Sequence, residues 1–117
     1  MNKFNLILAL LYSALIIFLG LSESISSSVV SLDINDKLAH FISYLLFYFL
    51  WYNPFCYLFK SKPLIYLFVF AFTFGVFIEL GQKFLTLTRN AELLDVVSNL
   101  TGILIPHIYF SLKKRKI

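Results

Sequence analysis

Polar residues recur at helical spacing inside the apolar segments of this 117-residue chain. An ionisable side chain at the centre of a membrane helix costs about 2.5–3.5 kcal/mol by insertion scales, and less near the interface. Side chains retained at that cost indicate a functional site. The candidates for acid–base chemistry are Asp36, His40 and Glu79, and the candidates for ligand binding are Lys37, Tyr44, Gln82, Arg89, Asp95 and Asn99.

Asp36 and His40 are four positions apart, which places both on one face of a helix, with Tyr44 a further turn along. This spacing allows a carboxylate to hold an imidazole in one tautomer, as in an oriented general base or a metal ligand with its supporting carboxylate. In the structural alternative, Asp36 caps the helix and His40 forms a hydrogen bond across the bundle.

Glu79 and Gln82 share a face of the third apolar segment, because they are three residues apart. A glutamate so placed is neutral or paired with a basic residue, and Arg89 or Lys37 could supply that partner. Gly75 and Gly81 in the same segment favour close approach of a neighbouring helix.

Asp95, Asn99 and Gly102 lie on one face of the fourth segment. Buried amides often hold membrane helices together, so a structural role for Asn99 is an alternative to ligand binding. Pro106 predicts a kink in the inner half of this helix, and we place neighbouring His107 near the inner headgroups, outside the site. Polar faces of three helices therefore converge at one side of the membrane, with Arg89 in the connection between two of them.

The sequence lacks a serine elbow, a zincin helix, a phosphate-binding glycine loop and a Cys/His metal-ligand cluster. Metal binding through Asp36, His40, Glu79 and Asp95 is an alternative use of these residues, but we predict neither a metal nor a cofactor. Cys56 is the single cysteine, so no disulfide forms within the chain, and its aromatic surroundings favour a small apolar role.

The composition indicates a membrane protein. Hydrophobic residues make up 60% of the chain and charged residues only 14%, too few to cover a water-soluble domain of this size. The length fits one domain, residues 1–117, without repeats. We predict an all-α polytopic bundle of four transmembrane helices, at about residues 4–21, 36–53, 64–84 and 91–112.

Proline and short polar residues mark the helix ends. We expect Pro54 to end the second helix and Pro63 to open the third, because proline lacks the N–H that a helix interior needs. Asp33 and Asn90 are candidates for capping the second and fourth helices.

The distribution of basic residues predicts the orientation of the chain in the membrane. Lys3, the loop with Lys60 and Lys62, and the basic tail 113–116 fall on the side opposite to the loops around Asp33 and Arg89. The positive-inside rule then places both termini in the cytoplasm and the polar site at the outer face. The basic tail fits attraction to anionic lipid, and we expect no nucleic-acid partner.

The first apolar segment also fits a cleavable signal peptide, with Lys3 as its basic region. Its length and the poor cleavage site Leu21-Ser22-Glu23-Ser24 favour a retained helix.

The ordered motifs resemble the VanZ-like membrane proteins. They are Asp36-Lys37-Leu38-Ala39-His40-Phe41 with Tyr44, Glu79-Leu80-Gly81-Gln82, Arg89-Asn90-Ala91 and Asp95-Val96-Val97-Ser98-Asn99-Leu100-Thr101-Gly102. The resemblance implies a small multi-pass protein of the bacterial cytoplasmic membrane, in a family named for a contribution to teicoplanin resistance. One departure is the stretch 84–88, where the family pattern has a proline-containing turn before the arginine.

Three functions remain open on these residues. The first is a protein that binds an anionic envelope lipid or lipid-linked precursor through Lys37, Lys83 and Arg89, since arginine can hold a phosphate bidentately. The second is an intramembrane enzyme on such a lipid, with His40 as general base. Proton-coupled transport ranks below both, because four short helices leave little room for a transport path. A purely structural role for the polar residues is the remaining alternative.

Overall fold

The computed structural model describes residues 3–21, 33–85 and 93–115, including side chains except those of residues 33–36, 85, 114 and 115. These residues form four α-helices joined in chain order: α1 (Lys3–Leu21), α2 (Asp33–Leu58), α3 (Pro63–Leu85) and α4 (Leu93–Arg115). The prediction of an all-helical chain is therefore confirmed for the described residues.

The end of α2 differs from the prediction. The helix was expected over residues 36–53 but extends from Asp33 to Leu58, and Pro54 lies inside it. Pro54 is fully buried, and the Phe55 ring just beyond it packs 5.1 Å from that of Phe70 and 5.9 Å from that of Trp51. Such aromatic packing offsets the roughly 3 kcal/mol that proline costs inside a helix. The expectation that Pro54 ends the helix is wrong for this reason.

The other helix ends agree with the sequence more closely. Pro63 opens α3 as expected, after a turn in which Lys62 adopts a φ of 57°. α4 extends to Arg115, three residues past its predicted end, with Pro106 buried inside it. Asn90 lies outside the described residues, and so does the side chain of Asp33, so their capping roles stay predictions.

α2 is the central helix of the bundle. It packs against the other three helices, whereas α1 and α4 make no contact with each other within the described residues. α2 and α4 run parallel, since Lys37 pairs with Asp95 near their starts and Tyr48 pairs with His107 further along. α1 and α3 run in the opposite direction, so the starts of α2 and α4 lie beside the ends of α1 and α3.

The centre of the bundle is aromatic. The Phe47 ring has no exposed surface and lies 4.6 Å from that of Phe74 and 5.6 Å from that of Phe70, between ring centroids. In the same region, Trp51 Nε1 donates a hydrogen bond to Ser13 Oγ at 2.8 Å. This packing separates the polar end of the bundle from its opposite end.

Three of the helices are long and apolar enough to cross a membrane: Lys3–Leu21, Pro63–Phe84 and Leu93–Lys113. Large apolar side chains also cover their outer faces, among them Phe18, Phe77 and Leu94, each more than 60% exposed. Side chains of this kind are stable outside a bundle only against lipid or another apolar surface. These features fit a multi-pass membrane protein.

Candidate functional site

A cluster of polar side chains occupies one end of the bundle, where α2 and α4 begin and α1 and α3 end. We call it the polar cluster, and its members are Lys37, His40, Tyr44, Glu79, Gln82, Asp95 and Asn99. Five of them, Tyr44, Glu79, Gln82, Asp95 and Asn99, are at most 5% exposed. The structure therefore brings together polar faces of three helices, as the spacing predicted.

Lys37 and Asp95 form a salt bridge between α2 and α4, with 2.6 Å between Nζ and Oδ1. The Asp95 side chain is 5% exposed and that of Lys37 is 19% exposed. Because the ammonium group already compensates this carboxylate, Lys37 contributes less positive charge to an anionic ligand than the sequence alone suggested. Its role as a ligand contact remains a prediction.

His40 is held by two residues of α4. Its Nδ1 lies 3.1 Å from Asn99 Oδ1, and its Nε2 lies 3.7 Å from Asp95 Oδ2. When Asn99 Oδ1 accepts this hydrogen bond, the ring carries its proton on Nδ1, because an amide oxygen cannot donate. The side chain of Asp36, predicted to orient His40, lies outside the described residues.

On α2 and α4, two buried polar atoms of the cluster have no hydrogen-bond partner within the part of the chain that the structure describes. They are the Tyr44 hydroxyl and Asn99 Nδ2. Both side chains lie against Gly75 of α3, where a Cβ would be 3.3 Å from Tyr44 Cε1 and 3.2 Å from Asn99 Nδ2. A buried polar group without a partner costs about 1–3 kcal/mol, so each of these atoms favours a partner from outside the described residues.

Glu79 and Gln82 line the α3 side of the cluster. Glu79 is 5% exposed and close enough to Tyr44 to interact with it electrostatically. Gln82 Nε2 donates a hydrogen bond to the carbonyl oxygen of Gly20 at 2.8 Å. This contact joins the end of α1 to the site.

Sequence reasoning missed the contribution of α1. Gly20 supplies a backbone carbonyl to Gln82, and the glycine is close to α3, since a Cβ there would lie 2.8 Å from Ile78 Cγ2. A glycine in the last turn of an apolar helix is a weak signal for such an approach. No polar side chain of α1 marks the site in the sequence.

A cavity of about 180 Å³ adjoins the polar cluster between α1, α2 and α3. His40, Ser43, Tyr44 and Gln82 supply its polar wall, and Ile16, Leu19 and Ile78 supply apolar surface. Leu19 at its rim is 54% exposed, so the cavity reaches the outer surface of the bundle. A volume of this size holds about six waters at roughly 30 Å³ each, or a small polar group.

Some of the sequence predictions fall elsewhere. Arg89 lies outside the described residues, so its predicted role in the site stays untested. His107 is away from the cluster, as expected: its Nδ1 lies 2.7 Å from the Tyr48 hydroxyl toward the opposite end of the bundle. Among the described residues, no three His, Cys, Asp or Glu side chains are grouped to hold a metal ion.

No family model, curated protein or solved structure matches the chain. The resemblance to the VanZ-like proteins therefore rests on the ordered motifs of the sequence alone.

Proposed function

We propose that this chain is a VanZ-like protein of the bacterial cytoplasmic membrane that binds or modifies an anionic envelope lipid or lipid-linked precursor. The observation that carries the proposal is the buried Tyr44 hydroxyl, which has no hydrogen-bond partner among the described residues and belongs to a side chain that lines a cavity reaching the bundle surface. A buried polar atom that the protein itself leaves unsatisfied is typical of a site where a ligand or water supplies the partner. A contribution to glycopeptide resistance would follow from the same activity.

The polar wall and apolar rim of the cavity fit an amphipathic ligand. A headgroup entering past Leu19 would meet His40, Tyr44 and Gln82, while its chain stays against the apolar side of α1. Entry from the side suits a lipid, which reaches the protein within the bilayer.

The positive charge for an anionic headgroup must come from beyond the buried part of the cluster. Lys37 is balanced by Asp95, and Glu79 adds a second carboxyl group. We assign this charge to Arg89, which can grip a phosphate or carboxylate bidentately, with Lys83 as a second cation at the same end of α3.

The proposed topology has four membrane crossings with both termini in the cytoplasm, so that the polar cluster faces outward. In a background lacking Cys56, a cysteine at position 27 should react with an impermeant thiol reagent on intact cells, and one at position 61 should react only after permeabilisation. The reverse labelling pattern would place the polar cluster at the cytoplasmic face.

Catalysis by His40 is a second candidate, favoured by the fixed position of its ring. With its proton on Nδ1, the neutral ring would take a further proton at Nε2 from a lipid hydroxyl or from water. Asp95, 3.7 Å from Nε2, would stabilise the imidazolium that forms.

Binding and turnover measured side by side distinguish the two candidates. For an enzyme, His40→Gln should lower turnover by roughly 10²–10⁴-fold with little change in lipid affinity. For a binding protein, Arg89→Gln should weaken the affinity for phosphatidylglycerol most, by at least about tenfold, because it removes a charged contact. Both variants are measured in nanodiscs against the unaltered protein. If the bound lipids are chemically unchanged after incubation with the unaltered protein, the enzyme alternative is wrong.

A further inference from the structure

A second cleft lies at the opposite end of the bundle, between the start of α3 and the end of α4. It has a volume of about 440 Å³ and is lined by Lys62, Leu64, Ile65, His107, Ile108, Ser111 and Leu112. It shares no residue with the polar cluster or its cavity. The cleft is therefore a separate feature from the polar cluster and its cavity.

The cleft combines two kinds of surface. Lys62, His107 and Ser111 supply polar groups, whereas Ile65, Ile108 and Leu112 supply apolar walls that are each more than half exposed. His107 Nδ1 is engaged by the Tyr48 hydroxyl at 2.7 Å. When the tyrosine donates this hydrogen bond, the neutral ring carries its proton on Nε2, which is then a donor for an anion.

The charge around the cleft is of one sign. The described basic side chains at this end are Lys3, Lys60, Lys62 and Lys113, whereas the described acidic side chains, Glu79 and Asp95, belong to the other end. The remaining acidic residues, at positions 23, 33, 36 and 92, also adjoin that other end in the sequence. An occupant of the cleft therefore meets positive charge that no carboxylate among the described side chains offsets.

We propose that this cleft binds an anionic phospholipid, with its phosphate at Lys62 and His107 and an acyl chain along Ile65, Ile108 and Leu112. A lipid fits better than a free anion, because the walls next to the polar groups are apolar and face the surface that lipid covers. The bound lipid would fix the start of α3 against the end of α4. It would be a second lipid site, separate from the polar cluster.

The conformation of Lys62 offers a variant that removes the charge while preserving the turn. Its φ of 57° lies in the left-handed region, which asparagine adopts more readily than most residues, so Lys62→Asn should fold. Lys60→Gln is the matched control: it removes the same charge from the same turn, but Lys60 does not line the cleft and its Nζ lies 5.1 Å from the Tyr57 ring centroid.

The test is to titrate the purified full-length chain with phosphatidylglycerol and, separately, phosphatidylcholine, and to count bound lipids by native mass spectrometry. We expect Lys62→Asn to weaken binding of one phosphatidylglycerol about fivefold, the effect of one lysine near a headgroup, and Lys60→Gln to change it less than twofold. Ser111→Trp, which places a large side chain in the cleft, should weaken that binding event more than Lys62→Asn does. Equal losses for Lys62→Asn and Lys60→Gln, equal affinity for both lipids, or full binding in a folded Ser111→Trp variant would each overturn the proposal.

Discussion

Gly102→Ala should destabilise the folded chain by about 1–3 kcal/mol, although alanine is the better helix former. A Cβ at position 102 would overlap the carbonyl oxygen of Phe41 and lie 3.1 Å from its carbonyl carbon and 3.3 Å from Leu45 N. All three atoms belong to the α2 backbone, so the strain is relieved only if α2 and α4 move apart. Reversible unfolding in mixed micelles, followed by circular dichroism, measures the effect.

Gly81→Ala is the matched control for this prediction. The Cβ at position 81 would lie 2.8 Å from Leu21 Cδ2, the end of a flexible side chain that can change rotamer. We therefore expect Gly81→Ala to be neutral or stabilising. Equal destabilisation by both substitutions would mean that the approach of α2 to α4 at Gly102 is not the cause.

Lys37→Met should destabilise the chain by about 3–5 kcal/mol, the typical cost of removing one partner of a buried ion pair. It leaves Asp95, 3% exposed, without the ammonium group 2.6 Å away. Asp95→Asn should cost less, because the long side chain of Lys37 starts near the beginning of α2 and can turn its charge toward the headgroups. The unfolding free energies of both single variants and of the double variant form a double-mutant cycle, which measures the coupling energy between Lys37 and Asp95.

The double variant Lys37→Met with Asp95→Asn provides the control. Since it leaves no uncompensated charge from the pair, it should be more stable than Lys37→Met alone. If the two single effects simply add in the double variant, Lys37 and Asp95 are not energetically coupled and the salt bridge does not hold α2 against α4.

The sequence predicted most of what depends on periodicity and on the cost of charge in apolar segments. The spacing of His40 and Tyr44, and that of Asp95 and Asn99, indicated faces that the structure brings together. Pro63 opens α3 as expected, because a first-turn proline loses no hydrogen bond. These features are local, and a single helix determines them.

Features that depend on contacts between helices were not predictable in the same way. Pro54 stays inside α2 because the Phe70 ring of α3 packs against Phe55 in that turn. The spacing of residues along one helix does not predict such a contact with another helix. Likewise, Asn99 of α4 contacts His40 Nδ1 on α2, because the two helices run parallel. The sequence could not indicate that the Gly20 carbonyl accepts a hydrogen bond from Gln82, because every residue has a carbonyl group.

Tyr44→Phe tests most directly whether the polar cluster binds a ligand. The hydroxyl that this substitution removes is buried and has no hydrogen-bond partner among the described residues. Tyr12→Phe is the control, because Tyr12 donates a hydrogen bond to the Ser43 carbonyl at 2.8 Å and should lose about 1 kcal/mol of stability with its hydroxyl. For each variant, the free energy of unfolding and the affinity for phosphatidylglycerol are measured on the same preparation. We predict that Tyr44→Phe keeps or gains stability and binds the lipid about tenfold more weakly, the loss expected for one hydrogen bond to a charged group. A Tyr44→Phe variant that loses stability as Tyr12→Phe does, and binds the lipid as the unaltered protein does, would contradict a ligand-binding role for the cluster.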